Sequence, residues 1–243
     1  MTSTNQEDSF KQHVNSSVNI FTVMFIIFIL IKTVYFYTSS EKIGSINQIS
    51  LVFTLAFATI FFLFSYFTNV SITENKLICG EKNYKVAFYA TIIPFILIYS
   101  VGVALINVLE GWVRCFSNTF GSSILSFSGL TEEISKEIRN SGNSSMALNT
   151  DEMSMFLSEA YVDEYGDLKF TDNRGIQFNS IVEEKIKKYV YCKNSIGDGI
   201  WHYLLGIITL LVSYNAILAE NCNAFTVKKD EFRKYLNDKF EKN

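Results

Sequence analysis

VNIFTVMFIIFILIKTVYFY, residues 18–37, carries one charged side chain, Lys32, near its end. A helix rises about 1.5 Å per residue, so a run of this length covers the roughly 30 Å of a bilayer's hydrocarbon core. Three further apolar runs follow, at 49–70, 86–109 and 199–219. With 49% apolar residues, 22 Phe and 13 Tyr in 243 residues, the composition excludes an ordinary soluble domain. The expected fold is mainly α: an integral membrane protein with four transmembrane helices and a small α-rich extramembrane domain between the third and fourth, with room for a β-hairpin.

Residues 1–17 read as a polar amino-terminal tail. Their length, and that of the run behind them, argues for a retained anchor rather than a cleaved signal. Pro94, the one proline, is expected to kink the third helix as a packing feature. Four spans place both tails and the loop 71–85 on one side. Lysines there, Lys76, Lys82, Lys85 and the basic carboxyl tail, make that side cytosolic. Lys185, Lys187, Lys188 and Lys193 pull the other way.

Segment 110–198 is the part large enough to fold outside lipid. TEEISKEIR, 131–139, reads as a helix capped by Thr131, NSGNSS, 140–145, as a linker, and MSMFLSEA as a helix capped by Thr150. LKFTDNRGIQF, 168–178, alternates around Asn173 to Gly175 like a hairpin, and 179–193 reads as an amphipathic helix. From 131 to 198 there are 13 Asp and Glu against 8 Lys and Arg, which argues against nucleic acid as a partner. The tail 220–243 spaces Phe225, Phe232, Leu236 and Phe240 near helical period among lysines, as a membrane-surface helix or a solvated tail would.

Chemistry is sparse. His13 and His202 cannot build a metal site, the cysteines at 79, 115, 192 and 222 lack metal spacing, and no nucleophile-elbow, phosphate-loop or zinc-protease pattern occurs. The expectation is therefore no enzyme, no cofactor and no metal. Lys32 is expected to snorkel from its span. Glu110 and Arg114 are expected to pair at a helix end. Cys79 and Cys222 share one face and Cys115 and Cys192 the other, with free thiols the default on a cytosolic face.

GWVRCFSNTFG, 111–121, follows the third run directly. It resembles a P-G-W-x-x-P-F-S-N-T-[IF]-G motif of membrane-embedded virion proteins of nucleocytoplasmic large DNA (giant) viruses, carried here by Gly111, Trp112, Phe116, Ser117, Asn118, Thr119, Phe120 and Gly121. WHYLLGIITLLVSYNAILAENC, 201–222, is similar to that family's closing segment through Trp201, Gly206, Tyr214, Asn215, Ile217 and Cys222. Glu110 and Cys115 stand where the family shows prolines, and Leu205 where a Thr is expected, marking a divergent member.

The resemblance implies a structural minor capsid or inner-membrane protein that ties the viral bilayer to the icosahedral shell. Its partners would be lipid and other minor or major capsid proteins. It would be located in the virion inner membrane beneath the capsid, and in host endomembrane during assembly. The shell would meet the face carrying the tails. A small viral channel is the alternative, and a fusion component a third. Viral thiol oxidation would make disulfides credible, above all Cys115 with Cys192. Residues 111–121 then read as an interfacial elbow. Trp112 anchors at headgroup level, Arg114 reaches phosphates, and the glycines turn the backbone. Ser117, Asn118 and Thr119 bond freed backbone groups, while Phe116 and Phe120 pack on the third and fourth helices.

Overall fold

In the computed structural model, residues 2–38, 43–75, 78–140, 150–163, 167–170 and 178–219 are described. The chain is mainly helical: α1 (Thr2–Thr38), α2 (Ile43–Thr73), α3 (Tyr84–Pro94), a π-helical stretch (Phe95–Ser100), α4 (Val101–Val108), α5 (Glu110–Phe116), a second π stretch (Ser117–Gly121), α6 (Ser122–Phe127), α7 (Leu130–Asn140), α8 (Thr150–Glu159), β1 (Ala160–Val162), β2 (Leu168–Phe170) and α9 (Ser180–Ala219). Four helical stretches are long and apolar enough to cross a membrane, Val14–Thr38, Gln48–Thr73, Tyr84–Ile106 and Ser180–Ala219. They match the four apolar runs.

The boundaries differ from expectation in a consistent way. Hydrophobicity stops at Val18, but helicity does not: with no glycine or proline from Thr2 to Thr38, α1 takes in the tail 1–17. The amphipathic stretch 179–193 and the run 199–219 likewise form one helix of 40 residues, because nothing between them breaks the backbone ladder. Asn179 opens it, its Oδ1 accepting from Val182 N at 2.8 Å. Asn83 caps α3 in the same way through Val86 N. Pro94 ends the α-geometry of the third helix, and the backbone continues as a π turn, a familiar response where the i→i−4 ladder is interrupted.

Compact packing divides the chain into two units, Met1–Thr22 with Ala58–Gly102 and Leu205–Asn243, and Val23–Phe57 with Val103–Leu204. In the first, Phe21, Phe61 and Tyr99 form an aromatic core, with Phe61 ring centroids 5.0 Å from Phe21 and 4.9 Å from Tyr99. Gly206 belongs to the same core, since a β-carbon there would overlap the Phe21 ring. A polar network crosses this unit. Asn69 Nδ2 donates to Thr91 Oγ1 at 2.7 Å and Ser213 Oγ at 2.5 Å, and those hydroxyls donate onward to Ala87 O and Ala90 O. It joins α2, α3 and α9 where apolar packing alone leaves register loosely specified.

The second unit has its own core, in which Ile134 and Ile138 of α7, Met153 and Leu157 of α8, and Val182, Ile186, Tyr189 and Val190 of α9 pack together with Phe36. Phe156, Phe170 and Phe178 stack beside it, the first pair 4.3 Å apart. The strand Leu168–Phe170 pairs backward with β1, in the register Ala160 opposite Phe170. The turn of the expected hairpin around 173–175 lies outside the described residues. Thr131 falls inside α7, buried and bonded to Ser126, so it is not the cap; Gly129, at φ +80°, precedes the helix. The linker from 141 on and the tail 220–243 also lie outside the described residues.

Candidate functional site

The two motif stretches meet on α9. Lys193 lies on the stripe that Val182, Ile186, Tyr189 and Ile196 bury, and it is itself only 1% exposed. An ammonium inside a protein is costly unless its donors are all used. Here each of the three finds an oxygen: Asn118 Oδ1 at 2.8 Å, Ser158 O at 2.5 Å and Ala160 O at 2.7 Å. Ser158 and Ala160 are where α8 runs out into β1, and carbonyls at a helix carboxyl end lack intrahelical donors and carry the negative end of the helix dipole. Lys193 therefore caps α8 and holds the 111–121 stretch at once.

Close backbone approach makes this reach achievable. A β-carbon on Gly121 would sit 2.5 Å from Lys193 O, and one on Gly197 would overlap Ser117. Ser117 and Gly121 on one helix, and Lys193 and Gly197 on the other, are each four residues apart, so one face of each fits the other. Aromatic contacts extend the seam. The Trp112 and Trp201 rings stack at 5.7 Å and 16°, Phe116 meets Trp201 edge-on at 4.8 Å, and Phe120 stacks on Phe116 at 5.8 Å. Trp201 Nε1 donates a long bond, 3.5 Å, to Trp112 O.

Residues 111–121 are thus helical, which corrects the expected elbow. The break in the chain comes earlier, at Leu109 (φ −104°, ψ 62°). Gly111 is exposed with no neighbour that a β-carbon would touch, and Gly121 serves close packing rather than a turn. Because the backbone keeps its own ladder, Asn118 has no freed amides to serve and accepts from Lys193 instead. Ser117 Oγ is buried without a hydrogen-bond partner among the described residues, and Thr119 is exposed, its carbonyl accepting from Ser123 Oγ at 2.6 Å. Arg114 lies over the Tyr161 ring, 4.5 Å from its centroid. Phe116 reaches α9 as expected. The Glu110 side chain is outside the described residues, and with it the Glu110–Arg114 pair.

Of the closing-segment residues, Trp201 joins this seam. Gly206, Tyr214 and Ile217 are buried in the first unit, where Asn215 is exposed. Cys115 and Cys192 are both free thiols, which corrects the expected bridge. Cys115 faces outward, whereas Cys192 is buried with its Sγ 3.7 Å from Thr33 O. Cys79 is disulfide-bonded, against the default of free thiols on its face; Cys222 lies outside the described residues.

Two charged residues that the sequence reading undervalued also sit on α9. Besides Lys193, Asp198 Oδ2 lies 3.6 Å from Lys32 Nζ, and Lys32 is 1% exposed, so it pairs inward rather than snorkelling. His202, one turn beyond Asp198, is buried against the Phe57 edge. The signal for Lys193 was available: Val182, Ile186, Tyr189, Lys193 and Ile196 keep helical period, so the stripe itself places the lysine inside. Surface ion pairs ring the α7–α9 contact, among them Lys185 with Glu137 at 3.0 Å. On α7 a hydrogen bond from Lys136 holds the Glu132 carboxyl below its ordinary range.

Among the described residues no cluster of His, Cys, Asp and Glu is suited to a metal ion. No known protein family, curated protein or solved structure matches this chain.

Proposed function

We propose that the chain is a structural membrane protein of a large DNA virus particle, a minor capsid or inner-membrane component that ties the bilayer to the icosahedral shell. Four helices of spanning length and composition support the membrane part of this reading. The observation that carries the rest is the seam that 111–121 makes with α9, where Trp112 stacks on Trp201, the first residue of the second resemblance stretch, and Asn118 accepts from Lys193, which precedes that stretch. Such a seam is a scaffold device. Its buried ammonium is spent on three oxygens of the fold itself, one from Asn118 and two from the end of α8. In this reading it fixes α8 and the strands on α9, so that the extramembrane segment offers its neighbours one shape.

The chain would insert into host endomembrane during assembly and remain in the virion inner membrane, with the face carrying the tails toward the shell. Detergent fractionation of purified particles tests it, with the chain expected to be abundant and to stay with the shell. A channel reading draws on the inward Lys32–Asp198 pair, since ionisable groups within apolar helices often mark ion paths. It predicts a scarce protein that passes current in planar bilayers. A cryo-EM map placing residues 150–190 against the shell would reverse the orientation.

A further inference from the structure

The α5–α6 region turns one face to α9 and another outward, and the outward face is apolar. Trp112 is 55% exposed, Phe120 49%, Ile124 50% and Phe127 92%. With the half-buried Phe116 between the first two, spacings of four, four, four and three residues keep these side chains on one side. From Cys115 to Thr131 the sequence has no Asp, Glu, Lys or Arg. Ser123, on the same outer side, returns its hydroxyl to Thr119 O, so its polar group is satisfied within the helix. Charge resumes at once on α7, where Glu132, Glu133 and Lys136 are exposed. Toward the amino end, across the break at Leu109, α4 is apolar and exposed as well, with Leu105 at 48% and Val108 at 77%, and Leu109 itself is 37% exposed.

An isolated exposed phenylalanine needs no explanation, but an uncharged aromatic stripe on a two-sided helix, continuous with a spanning helix, does. We infer that α5–α6 lies in the lipid interface, with Trp112, Phe120, Ile124 and Phe127 embedded at the boundary of headgroups and acyl chains, and Phe127 as the far anchor. The occupant is lipid rather than a second protein, because the stripe follows directly in the chain on a stretch of spanning length and composition that exposes large apolar side chains like its own. The inference rests on the membrane reading above. Interfacial helices of this kind hold their apolar face shallowly in the bilayer and keep charge on the other side. Here the other side is not water but α9, and the nearest charge, Arg114, is turned onto Tyr161.

The test uses the full chain in phosphatidylcholine vesicles, with Trp112→Phe and Trp201→Phe removing both native indoles. One variant then adds Phe127→Trp, and another adds Leu97→Trp, at a position 65% exposed on the third spanning stretch. Vesicle lipids are brominated either near the headgroup end of the acyl chain or near its terminal methyl. The tryptophan at 127 should lose most of its emission to the shallow bromines and little to the deep ones, and aqueous acrylamide should leave it largely unquenched. The tryptophan at 97 should be quenched by bromines too. Quenching at 97 together with an acrylamide-accessible, bromine-insensitive 127 overturns this inference and leaves the spanning helices in place. A tryptophan at 127 shielded from both quenchers means that protein covers the stripe, which overturns it equally. Bromine-insensitive emission at both positions overturns the membrane reading itself.

Discussion

Both packing units bury polar groups between helices, and they do so with different chemistry. In the first, the Asn69 amide hands two protons to hydroxyls that pass their own to backbone carbonyls, and Asn69 Oδ1 has no partner among the described residues. Every member is neutral. In the second, a single ammonium, Lys193, is surrounded by one side-chain oxygen and two carbonyls. A neutral network on apolar helices costs little to assemble and little to lose, because each hydroxyl retains its carbonyl when the amide is gone. A buried cation is different, since removing its surroundings strands a charge. The first unit should therefore tolerate change better than the second, where the sensitivity centres on Lys193 and Asn118.

That contrast orders the expected effects of substitution. Lys193→Met should be the most damaging, leaving three oxygens unserved, that of Ala160 fully buried, in a site shaped for an ammonium, with a loss of about 3–5 kcal/mol in detergent unfolding of the full chain. Loss below about 1 kcal/mol would mean that water reaches the site. Asn118→Ala removes one of the three acceptors and should cost about 1–3 kcal/mol, while Asn118→Asp, which gives the ammonium a counter-charge, should be tolerated far better. In the other unit, Asn69→Ala should cost only about 0.6 kcal/mol, the average for hydrogen bonds between helices in lipid. If it matched Lys193→Met, the distinction between neutral and charged networks would collapse.

Smaller still is the exposed pair on α7. The Glu132 carboxyl is held below its ordinary value by Lys136, so its contribution is present above the unfolded value and fades as pH falls through the folded one. Glu132→Gln should change stability at neutral pH by an amount too small to resolve, and nothing further on acidification. Thiol chemistry separates the units' cysteines without mutation. Cys115 should alkylate in the folded protein, Cys192 only after unfolding, and Cys79 only after reduction.

Much of the fold is legible in the residues, and the reason is physical. Four runs of apolar side chains long enough for a bilayer leave helices as the economical way to satisfy their backbone. What those runs do not report is where helices end, because helicity continues wherever no glycine, proline or cap interrupts it. α1, which has neither glycine nor proline, outgrows its apolar portion for that reason, and α9 does so although Gly197 and Gly199 stand at the join, both packed closely against neighbouring residues. The seam was half legible. Its residues stood out as a motif, but Gly121 read as a turn when its role is to admit the backbone of Lys193. Lys193 itself was weighed only as a topology signal, since charge on a long side chain is assigned outward unless the helical stripe around it is traced. The Asp198 partner of Lys32 lay too far along the chain for local pattern to join them.

On the proposed virion role, the seam governs particle assembly and not membrane insertion. A virus lacking this chain, rescued with Asn118→Ala, Asn118→Asp or wild type, separates the two when membrane-fraction and particle-bound protein are quantified together. All three should insert equally, with Asn118→Ala depleted from particles and Asn118→Asp near wild type. Wild-type levels of Asn118→Ala in particles, with normal yield, would contradict the claim.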